Sequence, residues 1–554
     1  MTLKDSAPRA ASSPTGKNLF KRFWPLPLGL TLWAALYLPH INDPFLLDDR
    51  GTIVLNSEID HPIAGKEFFN SHYYSFSGEE SWRPLATFSY YAMARIFGKS
   101  PAAMRTPQWA SHVLIGFMLC FLALSLGFTE LAASWAAAFF WLQPANIETL
   151  MCVSFNEEVL VALGLLFFLL CHRHRKYFLA SLSLVGAFLS KETAIAFLPL
   201  VFLHDFLTDQ QWKEKIKIYA LYFLIAAAYL TIYFGPLKGP GVLQKPVILS
   251  FGTRLFFALT GFETAIRIFL LPLWLRIEYF ALPPASWIKG ALELGIGIGL
   301  LCAWGYGGFY FWKKNQKRIV FFLLWPLGFL ALTSNLFPMS ALNTRLLAER
   351  WLYLPFLGLS VLAGAGIYRR SWIGILVLIF WSLCGWTRLK DWESGPRLWS
   401  SLAQIYPWCA KADEGLGESY FQEGHYLLSQ EYFRYALWLR KNHQDRVLNY
   451  YSSRDPNKIL TWKSSSLYRW LGSADIALGK FRRADHRFSQ AIELNPADGY
   501  SYDIMTYEWA AKGDWKKSRE WLDKGLKAVP RESFLLRIKP DVRRERLSFK
   551  AKFD

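Results

Sequence analysis

Apolar residues gather in runs along roughly the first 390 residues of the 554-residue chain, and short polar turns separate the runs. A helix that crosses a bilayer needs about 20 mostly apolar residues, and several runs approach that length. The pattern therefore predicts an all-α, polytopic membrane domain over residues 23–390 with about eleven transmembrane helices. The predicted spans are 23–39, 108–128, 131–144, 153–171, 177–190, 193–206, 216–234, 288–312, 320–334, 351–368 and 372–386.

Basic residues mark one end of these predicted spans. Lys17, Lys21 and Arg22 precede the first span, and further basic turns connect later spans on the same side. These turns are 172–176, 205–217, 313–318 and 368–370. Cytoplasmic loops of membrane proteins carry an excess of Lys and Arg. We therefore expect residues 1–22 to be a cytoplasmic N-terminal segment. With eleven crossings, the chain after residue 390 would lie in a periplasm or lumen.

The apolar stretch 248–277 does not fit a simple span, because it contains Arg254, Glu263 and Arg267 at near-helical spacing, with Pro272 late in the stretch. Charged residues are costly in the hydrocarbon core of a bilayer. We interpret the stretch as one or two interfacial or re-entrant helices on the outer side. A slightly polar spanning helix is the alternative, and it would invert every later loop.

After residue 390 the chain becomes amphipathic, and a period of 34 residues is visible. Three positions recur at this period: Ala484, Phe488 and Pro496 return as Ser518, Leu522 and Pro530. Such a repeat of small, bulky and proline positions is typical of tetratricopeptide repeats, each of which is a helix pair. Small residues at Gly472 and Ala484 would let the two helices of one repeat approach closely. The pattern predicts three repeats in a domain over 391–536, and their concave groove would suit a peptide.

Composition and charge narrow the class of protein. The chain is 53% hydrophobic, 17% aromatic and 19% charged, which excludes a disordered, collagen-like or small disulfide-stapled protein. The net charge of +19 divides between the basic turns, a few outer residues and a basic tail at 537–554. Because this tail is expected outside the cytoplasm, it indicates no nucleic-acid partner and would meet solvent or anionic lipid. The chain has no Asn-x-Ser/Thr sequon, which favours a bacterial source and hence the bacterial inner membrane.

The first outer loop, residues 41–107, carries the adjacent carboxylates of Asp48 and Asp49 shortly after a predicted span. Acidic residues at a membrane boundary are costly unless they are paired or functional. A helix cap in a turn would also account for the two aspartates. Further along the loop, Arg83 lies in the sequence Ser-Trp-Arg-Pro-Leu at the predicted start of an interfacial helix.

Other charged side chains are expected on the same outer face. They are Glu148, Glu157 and Glu158 at the start of the fourth span, Lys191 and Glu192 in the turn between the fifth and sixth spans, and Arg345, Glu349 and Arg350 before the tenth span. A cleft with carboxylates and cations beside lipid suits a substrate that has a phosphate head and a lipid tail. Structural ion pairing is the alternative explanation for Lys191 and Glu192.

Together, these motifs resemble the transmembrane and tetratricopeptide-repeat-containing O-mannosyltransferases. The similarity runs in order through the acidic pair, Ser-Trp-Arg-Pro-Leu, Ser-Lys-Glu at 190–192, Ala-Glu-Arg-Trp-Leu-Tyr-Leu-Pro at 348–355, and the repeats. The resemblance implies the GT-C glycosyltransferase fold. It also implies transfer of a sugar from a dolichyl- or polyprenyl-phosphate donor to Ser/Thr hydroxyls on the outer membrane face. The chain departs from the family in its few repeats and in Leu-Gln-Pro-Ala-Asn at 142–146, where His-Pro-x-His is usual.

A glycosyl phosphate already carries a good leaving group, so an enzyme must deprotonate the acceptor hydroxyl and stabilise charge on the departing phosphate. A carboxylate performs the first task; we select Asp48, with Asp49 as an orienting partner, a metal ligand or a second candidate base. Cations perform the second task. The candidates are Arg83, Lys191, Arg345 and Arg350, with Glu148, Glu192 and Glu349 as supporting residues. Direct displacement would invert the anomeric centre. The two aspartates with a glutamate could hold Mg²⁺ or Mn²⁺, although no cofactor is certain.

Two other functions remain open from the sequence. A non-enzymatic membrane scaffold would use the repeats to dock proteins, but it would leave the outer acids and bases unexplained. A flippase or polymerase for lipid-linked sugars would also place basic residues near the lipid face. The expected partners of the proposed enzyme are the lipid bilayer, a polyprenyl-phosphate-linked sugar, and a protein or peptide acceptor in the repeat groove.

Overall fold

The computed structural model describes residues 22–60, 63, 65–70, 73–77, 79, 81–209, 211–239, 249–284, 286–336, 345–452, 459–530, 532–548 and 550–551. This part of the chain is almost entirely helical, with one short antiparallel pair of strands. The predicted all-α class is therefore confirmed. The predicted cytoplasmic segment 1–22 lies outside the described residues except for Arg22, as do residues 549 and 552–554 of the predicted basic tail.

The first 391 residues contribute fifteen helices among those described, numbered here in chain order. They are α1 (Pro25–Tyr37), α2 (Tyr73–Phe76), α3 (Pro84–Phe97), α4 (Pro101–Ser125), α5 (Glu130–Leu142), α6 (Asn146–Met151), α7 (Asn156–Arg173), α8 (Tyr177–Ser190), α9 (Phe197–Thr208), α10 (Ile216–Phe234), α11 (Phe251–Leu270), α12 (Trp287–Lys313), α13 (Lys317–Thr333), α14 (Tyr353–Ile367) and α15 (Ser371–Asp391). Single tight turns of helix lie between them, among them Arg50–Val54, Val153–Phe155, Glu192–Ala196 and Glu349–Leu352.

Five of the described segments are long and apolar enough to cross a membrane. They are Pro101–Ser125, Val153–Arg173, Trp212–Phe234, Trp287–Lys313 and Glu349–Asp391, the last of which contains both α14 and α15. The remaining predicted spans are helical but shorter, from 12 residues in α9 to 17 in α13. Helix formation in all eleven runs thus agrees with the apolar pattern, whereas eleven crossings are not established.

The stretch 248–277 forms one described helix, α11, in which Arg267 pairs with Glu263 one turn earlier at 3.1 Å. Irregular chain follows this helix and leads into the strand β1 (Tyr279–Phe280), which pairs antiparallel with β2 (Arg345–Leu347). The helix is not among the five long apolar segments, and its interfacial or re-entrant position stays a prediction.

Helix α5 lies at the centre of the membrane domain, and every residue from Ala132 to Leu142 is buried. Its alanines let neighbouring helices pack very closely. A Cβ atom added at Gly29 of α1 would lie 2.7 Å from the Cβ of Ala138, and one at Gly364 of α14 would overlap the α5 backbone. The small residues of these three helices therefore allow the tight core that positions the loops at its ends.

Helix α16 (Gly395–Ile405) leads from the membrane domain into antiparallel helix pairs. The pairs are α17 (Ala410–Gln422) with α18 (Tyr426–Lys441), α20 (Ile459–Ala477) with α21 (Phe481–Leu494), and α22 (Gly499–Ala511) with α23 (Trp515–Ala528); α19 (Arg446–Ser452) precedes the second pair and α24 (Ser533–Arg543) follows the third. Three pairs match the three predicted repeats. A Cβ atom at Gly472 would lie 2.6 Å from the Phe488 ring, so the missing side chain allows the expected close approach.

Candidate functional site

Asp48 and Asp49 follow a backbone turn at Leu47, whose φ of 52° is uncommon for a residue other than glycine. Asp48 is exposed, whereas Asp49 is fully buried. The Oδ1 atom of Asp49 accepts hydrogen bonds from the backbone N–H of Ser154 at 2.7 Å and from its hydroxyl at 2.5 Å. Its Oδ2 atom accepts from the backbone N–H of Val153 at 2.9 Å. Asp49 therefore ties the acidic loop to the turn before α7 and fixes the backbone that carries Asp48.

Arg105 of α4 holds the beginning of the same loop. Its side chain is buried and donates to the backbone carbonyl oxygens of Asp43 at 2.5 Å, Pro44 at 2.9 Å and Met151 at 3.1 Å. A buried guanidinium group is costly unless its donors are satisfied, and here carbonyl groups of two chain segments satisfy them. The position of Asp48 is therefore set by both α4 and the turn before α7.

Five charged side chains form an ion-pair network that we call the Arg83 cluster: Arg83, Glu157, Glu158, Lys191 and Glu192. Arg83 donates Nε and Nη2 to the two oxygens of Glu192 at 3.1 and 2.8 Å, and Nη1 to Glu157 at 2.5 Å. Lys191 donates Nζ to Glu157 at 2.7 Å and to Glu158 at 2.5 Å. Lys191 and Glu192 thus have different partners, although they are adjacent in sequence. With three carboxylates and two cations, the cluster carries one excess negative charge when every member is ionised.

Arg350 belongs to a second, separate ion pair. The buried carboxylate of Glu148 accepts from the backbone N–H of Arg350 at 2.9 Å and from its Nη1 at 2.5 Å. The guanidinium group lies over the ring of Phe155, 4.3 Å from its centroid. Within the described part of the chain, Nε and Nη2 of Arg350 have no hydrogen-bond partner. Arg350 is therefore held firmly by one side of its guanidinium group and keeps donors for a ligand.

Arg345 and Glu349 form ion pairs near the junction between the membrane domain and the repeats. Arg345 donates Nε and Nη2 to Glu278 at 2.9 Å each, and Lys411 of α17 donates to the same carboxylate. Burial disfavours the ionised form, but the charges of Lys411 and Arg345 outweigh it and hold the pKa of Glu278 well below its usual range. Glu349 is buried and accepts from Arg388 at 3.1 Å.

The exposed carboxylate of Asp48 is within electrostatic reach of Arg350 and of Glu79. Glu79 is half-buried and lies within electrostatic reach of Arg83. Burial, together with repulsion from Glu157 and Asp48, raises the pKa of Glu79 to about 8. Glu79 is therefore largely protonated at neutral pH, and Asp48 is the solvent-accessible carboxylate of this region.

The predicted site residues are thus distributed over distinct contact groups at one end of the helical domain. Arg83, Lys191 and Glu192 share the Arg83 cluster, Glu148 pairs with Arg350, Arg345 and Glu349 contact other partners, and Asp48 and Asp49 lie on one turn. Every candidate cation has a carboxylate partner. Both carboxylate oxygens of Asp49 already accept hydrogen bonds from Val153 and Ser154.

Several partner side chains were not among the predicted site residues, namely Glu157, Glu158, Glu278 and Arg105. Adjacent glutamates just inside an apolar run are a signal of pairing or function, and Glu157 and Glu158 are expected on the outer face from sequence, although no site role is predicted for them. Glu278 lies in irregular chain with no such pattern around it. Its partners are 67 and 133 residues away, and only the folded chain shows them.

No group of three or more His, Cys, Asp or Glu side chains that could hold a metal ion occurs among the residues described. Two clefts in the described structure lie away from Asp48. One, of about 690 Å³, lies at the junction of α15, α16 and α17 and is lined by residues such as Lys390, Arg397 and Tyr420. The other, of about 610 Å³, lies between the end of α9 and the start of α13.

No protein-family model and no curated protein matches this chain. Among solved structures, the chain is similar to ArnT from Cupriavidus metallidurans bound to undecaprenyl phosphate, at 14% identity and a TM-score of 0.34, over 87% of this chain and 79% of that one. It is also similar to the Cut9–Hcn1 hetero-tetramer of the APC/C, at 13% identity and a TM-score of 0.23, over 93% of this chain and 98% of that one. Both TM-scores are too low to assign a fold or a function.

Proposed function

We propose that this protein is a membrane glycosyltransferase that transfers a sugar from a polyprenyl-phosphate donor to a Ser or Thr hydroxyl of a protein acceptor, with inversion at the anomeric carbon. The observation that carries the proposal is the exposed carboxylate of Asp48, fixed through its buried neighbour Asp49 and within electrostatic reach of Arg350. A positioned base beside a cation with free N–H donors is the arrangement that displacement of a phosphate leaving group requires.

Asp48 would accept the proton of the acceptor hydroxyl while the hydroxyl oxygen attacks the anomeric carbon. The bond between that carbon and the phosphate oxygen breaks, and the phosphate leaves with the electron pair. Attack from the face opposite the phosphate inverts the configuration. Asp49 would act as a positioning residue, because its oxygens already accept hydrogen bonds from Val153 and Ser154.

Arg350 is the cation that we propose for the departing phosphate. Glu148 fixes its backbone and Nη1, and the free Nε and Nη2 can bind two phosphate oxygens in the fork geometry of arginine. Arg83 and Lys191 are more fully engaged with carboxylates and would act on the phosphate at longer range. We propose that Arg345 instead holds Glu278 and thereby the entry to the repeats.

The repeats would present the protein acceptor. In support, Lys411 of the first repeat helix α17 pairs with Glu278, which attaches the repeats to the same end of the molecule as Asp48. The basic turns, such as 172–176 and 313–318, lie at the opposite ends of the helices, as the positive-inside bias requires of a cytoplasmic face. We therefore propose a bacterial inner-membrane protein with periplasmic repeats. Mannose as the sugar rests on the family resemblance, and Mg²⁺ or Mn²⁺ would be an additional ligand.

The proposal is tested with the full chain in lipid nanodiscs, a polyprenyl-phosphate mannose donor and Ser/Thr peptides, with mass spectrometry of the peptide. We expect a glycosylated peptide and a loss of about 100-fold or more in the Asp48→Asn variant, as for removal of a general base. Asp43→Asn is the matched control in the same loop, where the carboxylate pairs with His40 instead. Full activity of Asp48→Asn would refute the assignment of the base.

The other candidate functions give different results in the same assay. A scaffold would yield no product with any polyprenyl-phosphate sugar but would retain a peptide on the repeats. A flippase would move the labelled donor across the membrane of a proteoliposome without modifying the peptide. Comparison of periplasmic glycoproteins with and without this chain would then identify the natural sugar and acceptor.

A further inference from the structure

A polar cleft of about 610 Å³ lies at the end of the helical domain opposite Asp48. Helix α7 shows the separation, because it begins beside the Arg83 cluster and ends at Arg173. In the turn that follows this end, Arg175 donates a hydrogen bond to Gln211 at 2.8 Å, and Gln211 is next to the cleft residue Trp212. The cleft opens between the end of α9 and the turn that connects α12 to α13. Its lining consists of Phe206, Leu207, Thr208, Asp209, Trp212, Asn315, Gln316, Lys317 and Arg318.

The charge inside this cleft is positive. Lys317 is exposed, and among the described residues it has no hydrogen-bond or ion-pair partner. Arg318 donates to the carbonyl of Gly127 but keeps its full charge. The one acidic lining residue, Asp209, pairs with Lys215 at 2.9 Å, and the same Nζ also lies 2.9 Å from the buried carboxylate of Asp205. The lining therefore carries two cations, Lys317 and Arg318, against one carboxylate, and that carboxylate is already paired with a lysine.

An aromatic wall borders the same cleft. Phe206 packs against Trp212 with 5.8 Å between ring centroids and against Trp312 at 6.3 Å. Phe202, one turn earlier in α9, and Phe309 of α12 are both exposed on the helix surfaces that run from the cleft along the domain. Tryptophans at this position are typical of a membrane–water interface. The cleft is therefore continuous with an apolar surface that suits acyl chains.

We propose that this cleft binds the headgroup of an anionic phospholipid, with Lys317 and Arg318 on the phosphate and the amide side chains of Asn315 and Gln316 on the glycerol hydroxyls. Basic pockets between transmembrane helices bind such headgroups by the same combination of charge and hydrogen bonding. The adjoining apolar surface favours a lipid over a free anion, because a free phosphate would gain nothing from it. The site is independent of the proposed transfer reaction, since it lies at the other end of the domain.

Native mass spectrometry of the full chain, released from nanodiscs of phosphatidylglycerol or phosphatidylcholine, tests this site. We expect phosphatidylglycerol to be retained in preference to phosphatidylcholine. In Lys317→Gln this preference should fall by about fivefold, the effect of one cation at a membrane surface. Lys289→Gln is the control, because Lys289 is an exposed lysine near the start of α12, at the end of that helix remote from the cleft. It should retain the preference.

Three results would overturn the proposal. Equal retention of the two lipids would show that the cleft does not select anionic headgroups. An equal loss in the Lys317 and Lys289 variants would show diffuse surface charge instead of a site. Displacement of phosphatidylglycerol by millimolar inorganic phosphate would assign the cleft to a free anion. Tighter retention of polyprenyl phosphate than of phosphatidylglycerol would assign the cleft to that lipid instead. The exposed position of Lys317 makes misfolding of the variant unexpected, and an unchanged melting temperature verifies this.

Discussion

The backbone N–H and the hydroxyl of Ser154 both donate to one oxygen of Asp49, at 2.7 and 2.5 Å, across 105 residues of sequence. This relationship separates two carboxylates that are adjacent in the chain. The carboxylate of Asp49 holds the loop against the turn before α7, whereas the carboxylate of Asp48 is exposed on a backbone that Asp49 fixes. The two aspartates should consequently respond to substitution in different ways.

Replacement of Asp49 by Asn should lower the stability of the fold. The amide nitrogen of Asn cannot accept a hydrogen bond, so one of the N–H donors of Val153 or Ser154 loses its partner, at a cost of about 1–3 kcal/mol. Thermal unfolding of the purified protein should detect this as a lower melting temperature, whereas Asp48→Asn should leave the melting temperature unchanged. Equal melting temperatures for the two variants would contradict the anchoring role of Asp49.

The pair of Glu148 and Arg350 gives a second prediction. Glu148→Gln leaves the half-buried guanidinium of Arg350 without a counter-charge, and the cost should approach the roughly 3–5 kcal/mol for removal of one partner of a buried ion pair. The double variant Glu148→Gln with Arg350→Met should be less destabilised than the sum of the two single variants. A double-mutant cycle of unfolding free energies measures the coupling. Additive losses would show that the two side chains do not interact.

The apolar pattern was enough to locate the helices but not the contacts between charged residues. Apolar runs have a length that the bilayer and the helix dictate, so α7 and α12 could be found from sequence. Ion pairs have no such local rule. Lys191 pairs with Glu157 and Glu158 of an earlier helix instead of its neighbour Glu192, because the packing of α7 against α8 decides which carboxylates reach it.

The number of membrane crossings is a property that sequence pattern defines poorly in this chain. Helices α5 and α8 have 13 and 14 residues, below the length that spans a bilayer without help from their neighbours. Helix α5 is buried on all sides by other helices. A helix that is enclosed by other helices can lie within the membrane even if it has fewer than about 20 residues. The number of crossings therefore cannot be read from helix length alone.

A third prediction concerns pH and the attachment of the repeats. The pKa of Glu278 is held below its ordinary value of 4.5 by Lys411 and Arg345. Because the folded-state pKa is the lower one, ionised Glu278 stabilises the fold above about pH 4.5, and this contribution is lost as the pH falls further. Lys411→Gln should therefore lower the melting temperature at pH 7, and the difference from the natural protein should shrink below pH 4.5. A difference independent of pH would contradict the ion pair. Lys289→Gln serves as the control.

The second repeat provides a test of helix packing. Gly472 of α20 faces Phe488 of α21, and a Cβ atom at this position would lie 2.6 Å from the ring. Gly472→Ala should therefore force the helices apart and cost about 1–3 kcal/mol, although alanine is the better helix former. Ser473→Ala, at the next position of the same helix, is the control and should change stability little. Chemical denaturation followed by tryptophan fluorescence compares the two variants. An unchanged or higher stability of Gly472→Ala would show that α20 and α21 are not in close contact.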